Sequence, residues 1–208
     1  MPMNLIGIMS RPIMLKQVIL ITGTPCVGKT TVAKMLAAKL EGLYVNLTDL
    51  AISENLILGK DKKRNSTIVS PKKMKDRIRQ IIRECDRKSI VIDGHYAATI
   101  VPKNLASYVF VLRRNPVELR GLMEQSDFSG SKLWENLAAE ILDVCLVDAL
   151  NAYGEDKVCE VDASGKSPRA VVKGVLGILE GRSKCQVGIV DWIGKLETEG
   201  LLSEYLRI

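Results

Sequence analysis

The chain is 208 residues long, 47% hydrophobic, 4% aromatic and 26% charged, with a formal net charge of +6. That length suits one α/β domain with an aliphatic core rather than two domains. Its apolar runs fall far short of the roughly 18 residues that cross a bilayer, and Leu5-Ile6-Gly7-Ile8-Met9 is too short for a signal-peptide core, so the expectation is a cytoplasmic protein without a membrane segment.

Residues 1–14 read as a flexible N-terminal extension. Val18-Ile19-Leu20-Ile21 then has the continuous aliphatic character of a strand buried on both faces. Directly after it comes Gly23-Thr24-Pro25-Cys26-Val27-Gly28-Lys29-Thr30, the spacing of a loop that wraps an oligophosphate with successive backbone N–H groups. Glycines permit the turns and the close approach that a side chain obstructs. Lys29 is expected to reach the β and γ phosphates and Thr30 to place its hydroxyl on Mg²⁺, while the following helix adds unpaired N–H groups and its positive dipole end. ATP and Mg²⁺ are therefore the expected cofactors. The helix itself is legible in Val32, Ala33, Leu36, Ala37 and Leu40, with Gly42 as its stop.

Further elements follow in alternation. Leu43-Tyr44-Val45-Asn46-Leu47 is a short strand, and Ser70-Pro71 opens a helix whose stripe is Met74, Ile78, Ile81, Ile82 and Cys85. Ser89-Ile90-Val91-Ile92-Asp93 and Ser107-Tyr108-Val109-Phe110-Val111-Leu112 are the third and fourth strands, and Asn115-Pro116 starts another helix. A long helix is predicted over 132–153, facing inward with Leu133, Leu137, Ile141, Leu142, Cys145 and Ala149. Lys157-Val158-Cys159-Glu160-Val161 makes a fifth strand, Ser167-Pro168 caps the last core helix, and 183–208 reads as a helical tail carrying Trp192, Leu196, Leu202 and Leu206. The pattern predicts a doubly wound, five-stranded parallel sheet spanning 15–182.

Asp93 ends a buried strand beside the phosphate loop, where a carboxylate can hold Mg²⁺ through water; the plainer reading is a strand-end turn former. His95, the sole histidine, can orient a water or a phosphoryl acceptor, or can simply pack and hydrogen-bond. Residues 60–79 hold nine Lys/Arg against Asp61 and Asp76, so the rest of the chain sums to −1 (+6 less +7). Such a run is either a solvated helix face or a contact for RNA or ribonucleoprotein; the scarcity of aromatics argues against stacking on single-stranded bases. Five cysteines (Cys26, Cys85, Cys145, Cys159, Cys185) without CxxC spacing read as reduced thiols.

Several of these residues together resemble the adenylate kinase isoenzyme 6 (CINAP-type) family in its archaeal form. The carriers are GTPCVGKTT at 23–31, Tyr44-Val45-Asn46 with Asp49-Leu50-Ala51, Asp93-Gly94-His95, Val111-Leu112-Arg113, Lys132 with Glu135-Asn136 and Glu140-Ile141-Leu142, and Gly165-Lys166-Ser167-Pro168. The resemblance spans about residues 18–179. It implies a P-loop nucleoside monophosphate kinase fold with a monophosphate-binding segment over about 48–70 and a short lid over about 125–135. Cys26, Gly28, Lys29, Thr30, Thr31 and Lys166 would touch ATP, with Lys29, Asp93 and His95 catalytic and Thr30 and Asp93 on the metal. Thr48, Asp49 and Arg113 would serve the monophosphate acceptor. The resemblance also implies ATPase activity and a part in small-ribosomal-subunit maturation through a platform protein, with residues 60–79 as a possible rRNA contact.

The chain departs from that family at Leu122 and Ser126-Asp127-Phe128, where it usually has arginines, at Ile52, where an arginine is common, and at Cys26, where glycine is usual. A cation on the migrating phosphoryl group is worth roughly 10³–10⁵ in rate, so transfer to a monophosphate then needs Arg113, Arg114 or Arg120 as a substitute. Cysteine at position 26 costs about 1–2 kcal/mol if the backbone there is left-handed. Three readings remain: a monophosphate kinase, a ribosome-assembly ATPase in which Asp93 and His95 position water, and a kinase of a small metabolite.

Overall fold

In the computed structural model, which describes residues 16–61 and 66–206, the aliphatic run after Lys16 is strand β1 (Gln17–Thr22). The expected extension over 1–14, and residues 62–65 of the basic stretch, lie outside the described residues. After β1 come α1 (Lys29–Lys39), β2 (Leu43–Asn46), α2 (Leu47–Ser53), and a hairpin of β3 (Ile57–Asp61) with β4 (Ser66–Val69). Then follow α3 (Pro71–Glu84), β5 (Ser89–Asp93), α4 (Ala97–Ile100), β6 (Tyr108–Arg113), α5 (Pro116–Gln125), α6 (Gly130–Ile141) and α7 (Val144–Tyr153). The chain continues through β7 (Val158–Asp162), α8 (Pro168–Leu179), α9 (Trp192–Thr198) and α10 (Leu202–Tyr205). Among the described residues no helix is long and apolar enough to cross a membrane.

The main sheet has five strands in the order β2-β5-β1-β6-β7, and every neighbouring pair is parallel. Alternation along β1 divides the core. Ile19 and Ile21 pack on one face with Val32 and Leu36 of α1 and Val175 of α8, whereas Val18 and Leu20 pack on the other with Ile78 of α3 and Tyr153 of α7. Both faces are covered, which is why the strands are apolar at every position rather than at alternate ones. From β1 the chain crosses to one edge of the sheet and later to the other, so the carboxyl ends of β1, β5 and β6 part around a crevice. Three helices start as their sequences predict: Ser70, Asn115 and Ser167 each accept a first-turn N–H, with proline following.

Three expectations need correction. The helix predicted over 132–153 is two helices, broken at Asp143, whose φ is 57°. Leu133, Leu137 and Ile141 face the α1 side of the sheet while Leu146, Ala149 and Tyr153 face the α3 side, which one straight helix cannot do. Leu142, expected inward, is 46% exposed at that break. Within residues 48–70 the structure adds an antiparallel β3–β4 hairpin that the sequence does not announce, because its strands are short and the exposed Leu58 of β3 interrupts the period that a buried face would impose. Finally, Cys159 and Cys185 are joined in a disulfide rather than standing as two thiols. Residues after α8 run back along β7, where Glu160 N–H donates to Gln186 O at 2.8 Å, and so bring together cysteines that are 26 residues apart in sequence.

One polar cluster is sealed in this core. Arg113, 1% exposed, donates from Nε to Glu140 at 2.9 Å and from Nη1 to Glu160 at 2.5 Å, and it also pairs with Asp143. Removing the guanidinium strands two buried carboxylates, a change that costs about 3–5 kcal/mol. Arg113→Met should therefore lose roughly that amount in urea unfolding; a variant within 1 kcal/mol of wild type would show that the cluster contributes no net stability.

Candidate active site

The loop between β1 and α1 turns where its residues require it. Gly23 has φ +136°, and a Cβ there would lie 2.4 Å from Leu112 O, so the loop passes against β6 with no space for a side chain. Gly28 caps α1 in a left-handed conformation at φ 104°. Cys26 is left-handed too, at φ 65°, so the strain of about 1–2 kcal/mol that this geometry costs a non-glycine residue applies here. Lys29 Nζ folds back onto Thr24 O at 2.8 Å. Burial pulls the Lys29 pKa down from its usual value, and the Asp93 carboxylate counters that pull. Thr30 and Thr31 are exposed at the first turn of α1, beside N–H groups that have no helical partner.

Asp93, 1% exposed, ends β5 next to β1, in register with Ile21. Its Oδ2 accepts from Thr30 Oγ1 at 2.7 Å, Asn46 Nδ2 at 2.8 Å and Tyr44 Oη at 3.1 Å. The hydroxyl and carboxylate expected to hold Mg²⁺ are thus in contact. A buried carboxylate with a threonine hydroxyl is a hard oxygen set of the kind that binds Mg²⁺ alongside phosphate oxygens and water, so these residues fit the cation. Burial is the main reason that the Tyr44 phenol is raised to about 12.

His95 sits two residues beyond Asp93 on the rim of a cleft of about 420 Å³ lined by Thr48, Ala51, Ile52, Val69, Pro71, Tyr96, Thr99 and Ile100. A smaller cavity of about 220 Å³ adjoins it, sharing His95, Tyr96 and Thr99 and reaching Thr24, Asn136 and Cys145. The second cavity thus lies between the larger cleft and Thr24-Pro25 of the loop. His95 is exposed on the cleft side; the protein packed against the rest of the ring, and after it the Lys29 ammonium, lower its pKa to about 4, with the Asp93 carboxylate opposing them. Thr48 and Asp49 occupy the first turn of α2, both N–H groups bound at 2.9 Å to Asn46 Oδ1. Thr48 lines the cleft, whereas Asp49 is exposed beside it.

Two expected residues lie elsewhere. Arg113 is not brought to the cleft, because its guanidinium is committed to the buried cluster of Glu140, Glu160 and Asp143. Lys166 is half-exposed past β7, with Nζ on Asp162 O at 2.7 Å. Its neighbour Gly165 reaches the loop indirectly: Gly165 N–H donates to Glu118 at 3.0 Å, Glu118 pairs with Arg114, and Arg114 Nε donates to Val27 O at 3.3 Å. Sequence reasoning assigned no role to Tyr44, Asn46 or Glu140. For Asn46 a signal was present, since an asparagine before Thr48-Asp49 is a helix cap whose amide nitrogen remains free for a second partner.

The lone imidazole gives a single Hε1 resonance that can be followed without residue assignment. It should titrate near 4 in the folded protein, against 6.5 for an unperturbed histidine, and move upward in Lys29→Met. Because the folded value is depressed, the linked stability is complete above pH 6.5 and is lost as pH falls toward 4, where the unfolded chain takes up the proton first. An NMR titration midpoint at 6.5 would refute this account of the site's electrostatics.

A family model described as an AAA domain matches residues 19–143. A Pyrococcus furiosus protein named "Putative adenylate kinase" is 37% identical over 192 residues, covering 92% of this chain and 98% of the relative. Relatives with the same name from Thermococcus kodakarensis and Methanocaldococcus jannaschii are 38% and 33% identical, covering 84% and 85% of this chain and 92% and 93% of their own lengths. Among solved structures, a gluconokinase from Sinorhizobium meliloti matches with a TM-score of 0.51 at 16% identity, covering 82% of this chain and 95% of that one. A thymidylate kinase from Candida albicans matches with 0.51 at 19%, covering 80% and 92%. At such identities the likeness is of fold alone, and that fold is the P-loop kinase type. With identities above 30% over most of its length, the chain belongs to the family of archaeal proteins that carry the name "Putative adenylate kinase".

Proposed function

We propose that the protein is a nucleoside monophosphate kinase of the adenylate kinase isoenzyme 6 type, moving the γ-phosphoryl group of Mg-ATP to AMP or a related monophosphate in the cytoplasm. The observation that carries this reading is that the 420 Å³ cleft shares His95, Tyr96 and Thr99 with a cavity lined by Thr24 and Pro25 of the phosphate loop. Residues 48–70 border that cleft through Thr48, Ala51, Ile52 and Val69, as a monophosphate-binding segment would, and the turn within 125–135 is the candidate lid.

Each residue then has a task. Lys29 exchanges its bond to Thr24 O for phosphate oxygens, and its partial burial, which lowers the pKa, favours an anionic partner for the ammonium. Residues 26, 28, 30 and 31 line the phosphates with backbone N–H groups, and Lys166 flanks the nucleotide beyond β7. Thr30 and Asp93 would hold Mg²⁺, which when bound supplies charge neutralisation on the phosphoryl oxygens. Neutral His95 accepts or donates a hydrogen bond at the attacking oxygen without adding charge. Asn46 couples the two halves by holding Asp93 with Nδ2 and the start of α2 with Oδ1.

A second reading has an observation of its own. The arginine-free positions Leu122 and Ser126-Asp127-Phe128 and the sequestered Arg113 leave Arg114 as the arginine beside the loop. Arg120 is held over Trp134 and Tyr205 and paired with Glu124 and Glu204. Slow transfer to a monophosphate would leave hydrolysis as the main reaction, as in an ATPase of small-subunit maturation that meets a ribosomal platform protein or rRNA through residues 60–79. On α3, Lys72, Lys73 and Arg79 of that stretch are exposed.

Supplying Mg-ATP with AMP, CMP, UMP, GMP or water in turn separates these readings: AMP should accelerate ADP formation well above the rate with water. Lys29→Ala should lower both rates by about 10²–10³, and equal turnover of variant and wild type would refute the site. If no monophosphate raises the rate, the ATPase reading replaces the kinase.

A further inference from the structure

Glu140, 1% exposed on α6, is bound by four residues from three separate parts of the chain. Its Oε2 accepts from Thr24 Oγ1 of the phosphate loop at 2.6 Å. Its Oε1 accepts from Arg113 Nε at 2.9 Å, from Arg114 N–H at 3.1 Å and from Trp192 Nε1 at 3.1 Å. Trp192 belongs to the segment after α8, which lies across the molecule like a strap. That strap is bonded to β7 through Cys185, paired to Glu160 by Ile189 N–H at 2.7 Å, packed into the core by Leu196 and Tyr205, and fastened to Arg120 by Glu204 at 2.6 Å.

The charges explain why the strap must donate. One guanidinium faces three carboxylates, of which Glu140 and Glu160 are shut away from water. Neutral N–H donors make up the deficit, and the strap supplies one to each buried carboxylate, from Trp192 and Ile189. The indole therefore does more than fill space. With its N–H gone, Glu140 Oε1 keeps Arg113 Nε and Arg114 N–H but loses its third donor, which loosens the carboxylate whose other oxygen holds Thr24 Oγ1. Thr24 in turn presents the carbonyl on which Lys29 rests.

We propose that Trp192 is a positioning residue for the phosphate loop, acting from the C-terminal strap through Glu140 on Thr24. The inference builds on the reading of that loop as the nucleotide site, but the relay itself is present without ligand and is tested without one. In the nucleotide-free protein, Trp192→Phe keeps the ring and removes the donor. Amide hydrogen exchange over residues 23–30 should then quicken about tenfold, as expected for losing one hydrogen bond to a charged group. Ile78→Ala, a core truncation on the opposite face of the sheet, should lower Tm and leave exchange in the loop unchanged. A folded Trp192→Phe protein with wild-type exchange at 23–30, or an Ile78→Ala protein with the same loop acceleration, overturns the proposal. Should Trp192→Phe not fold, the reverse coupling decides: in protein with an intact strap, Thr24→Val should shift the Trp192 indole N–H resonance, identified by its persistence in Trp134→Phe. An unmoved indole signal overturns the proposal. Titration of wild-type protein with Mg-ATP runs separately; absence of binding there defeats the nucleotide reading and leaves the relay standing or falling on exchange alone.

Discussion

A single buried carboxylate holds the site to the rest of the molecule. Burying an anion is costly unless every lone pair is met, and Glu140 is buried with donors from the phosphate loop, from Arg113 at the end of β6 and Arg114 after it, and from the C-terminal strap. Those contacts reach across the sheet, because Thr24 follows β1 and Arg113 ends β6, and Arg113 in turn reaches Glu160 on β7. The break between α6 and α7 belongs to the same solution. Asp143 occupies the left-handed position there and turns its carboxylate to Arg113, and the helix pair can then cover opposite faces of the sheet.

Asp93 plays the matching part on the other side of the crevice. It gathers Thr30, Tyr44 and Asn46 on one oxygen, and Asn46 passes that restraint on to α2 at the lip of the cleft. The crevice therefore has two anchored walls, one tied to Glu140 and one to Asp93, with Lys29 between them. This arrangement also governs His95. The imidazole lies at the junction of the two cavities, and the nearby Lys29 ammonium together with the surrounding protein disfavours a second positive charge.

Much of the frame is readable in residue order. Caps at Ser70, Asn115 and Ser167, the unbroken apolar strands and the eight-residue loop are local signals, set by backbone geometry and periodicity within a dozen residues. Asp93 and Thr30 could be paired in advance, because in a parallel sheet the ends of neighbouring strands meet by topology. Arg113 could not be placed in this way. An arginine at a strand end reads as a ligand for phosphate, and only the approach of α6 and β7 converts it into the centre of an ion cluster. Trp192 in a helical stripe reads as core filling, since nothing near it in sequence announces a carboxylate 52 residues earlier.

The amino-acid order by itself determined the parallel α/β class, the phosphate loop and its two chemical partners, Lys29 and Thr30, because each depends on hydrogen bonds and side-chain alternation over short stretches of chain. Tertiary structure decided the Cys159–Cys185 pairing, the split of the long helix, the withdrawal of Arg113 from the cleft and the link from Trp192 to Thr24. Those features join groups far apart in sequence, so no local signal marks them, and the polar contacts among them gain strength only where burial lowers the local dielectric around satisfied partners.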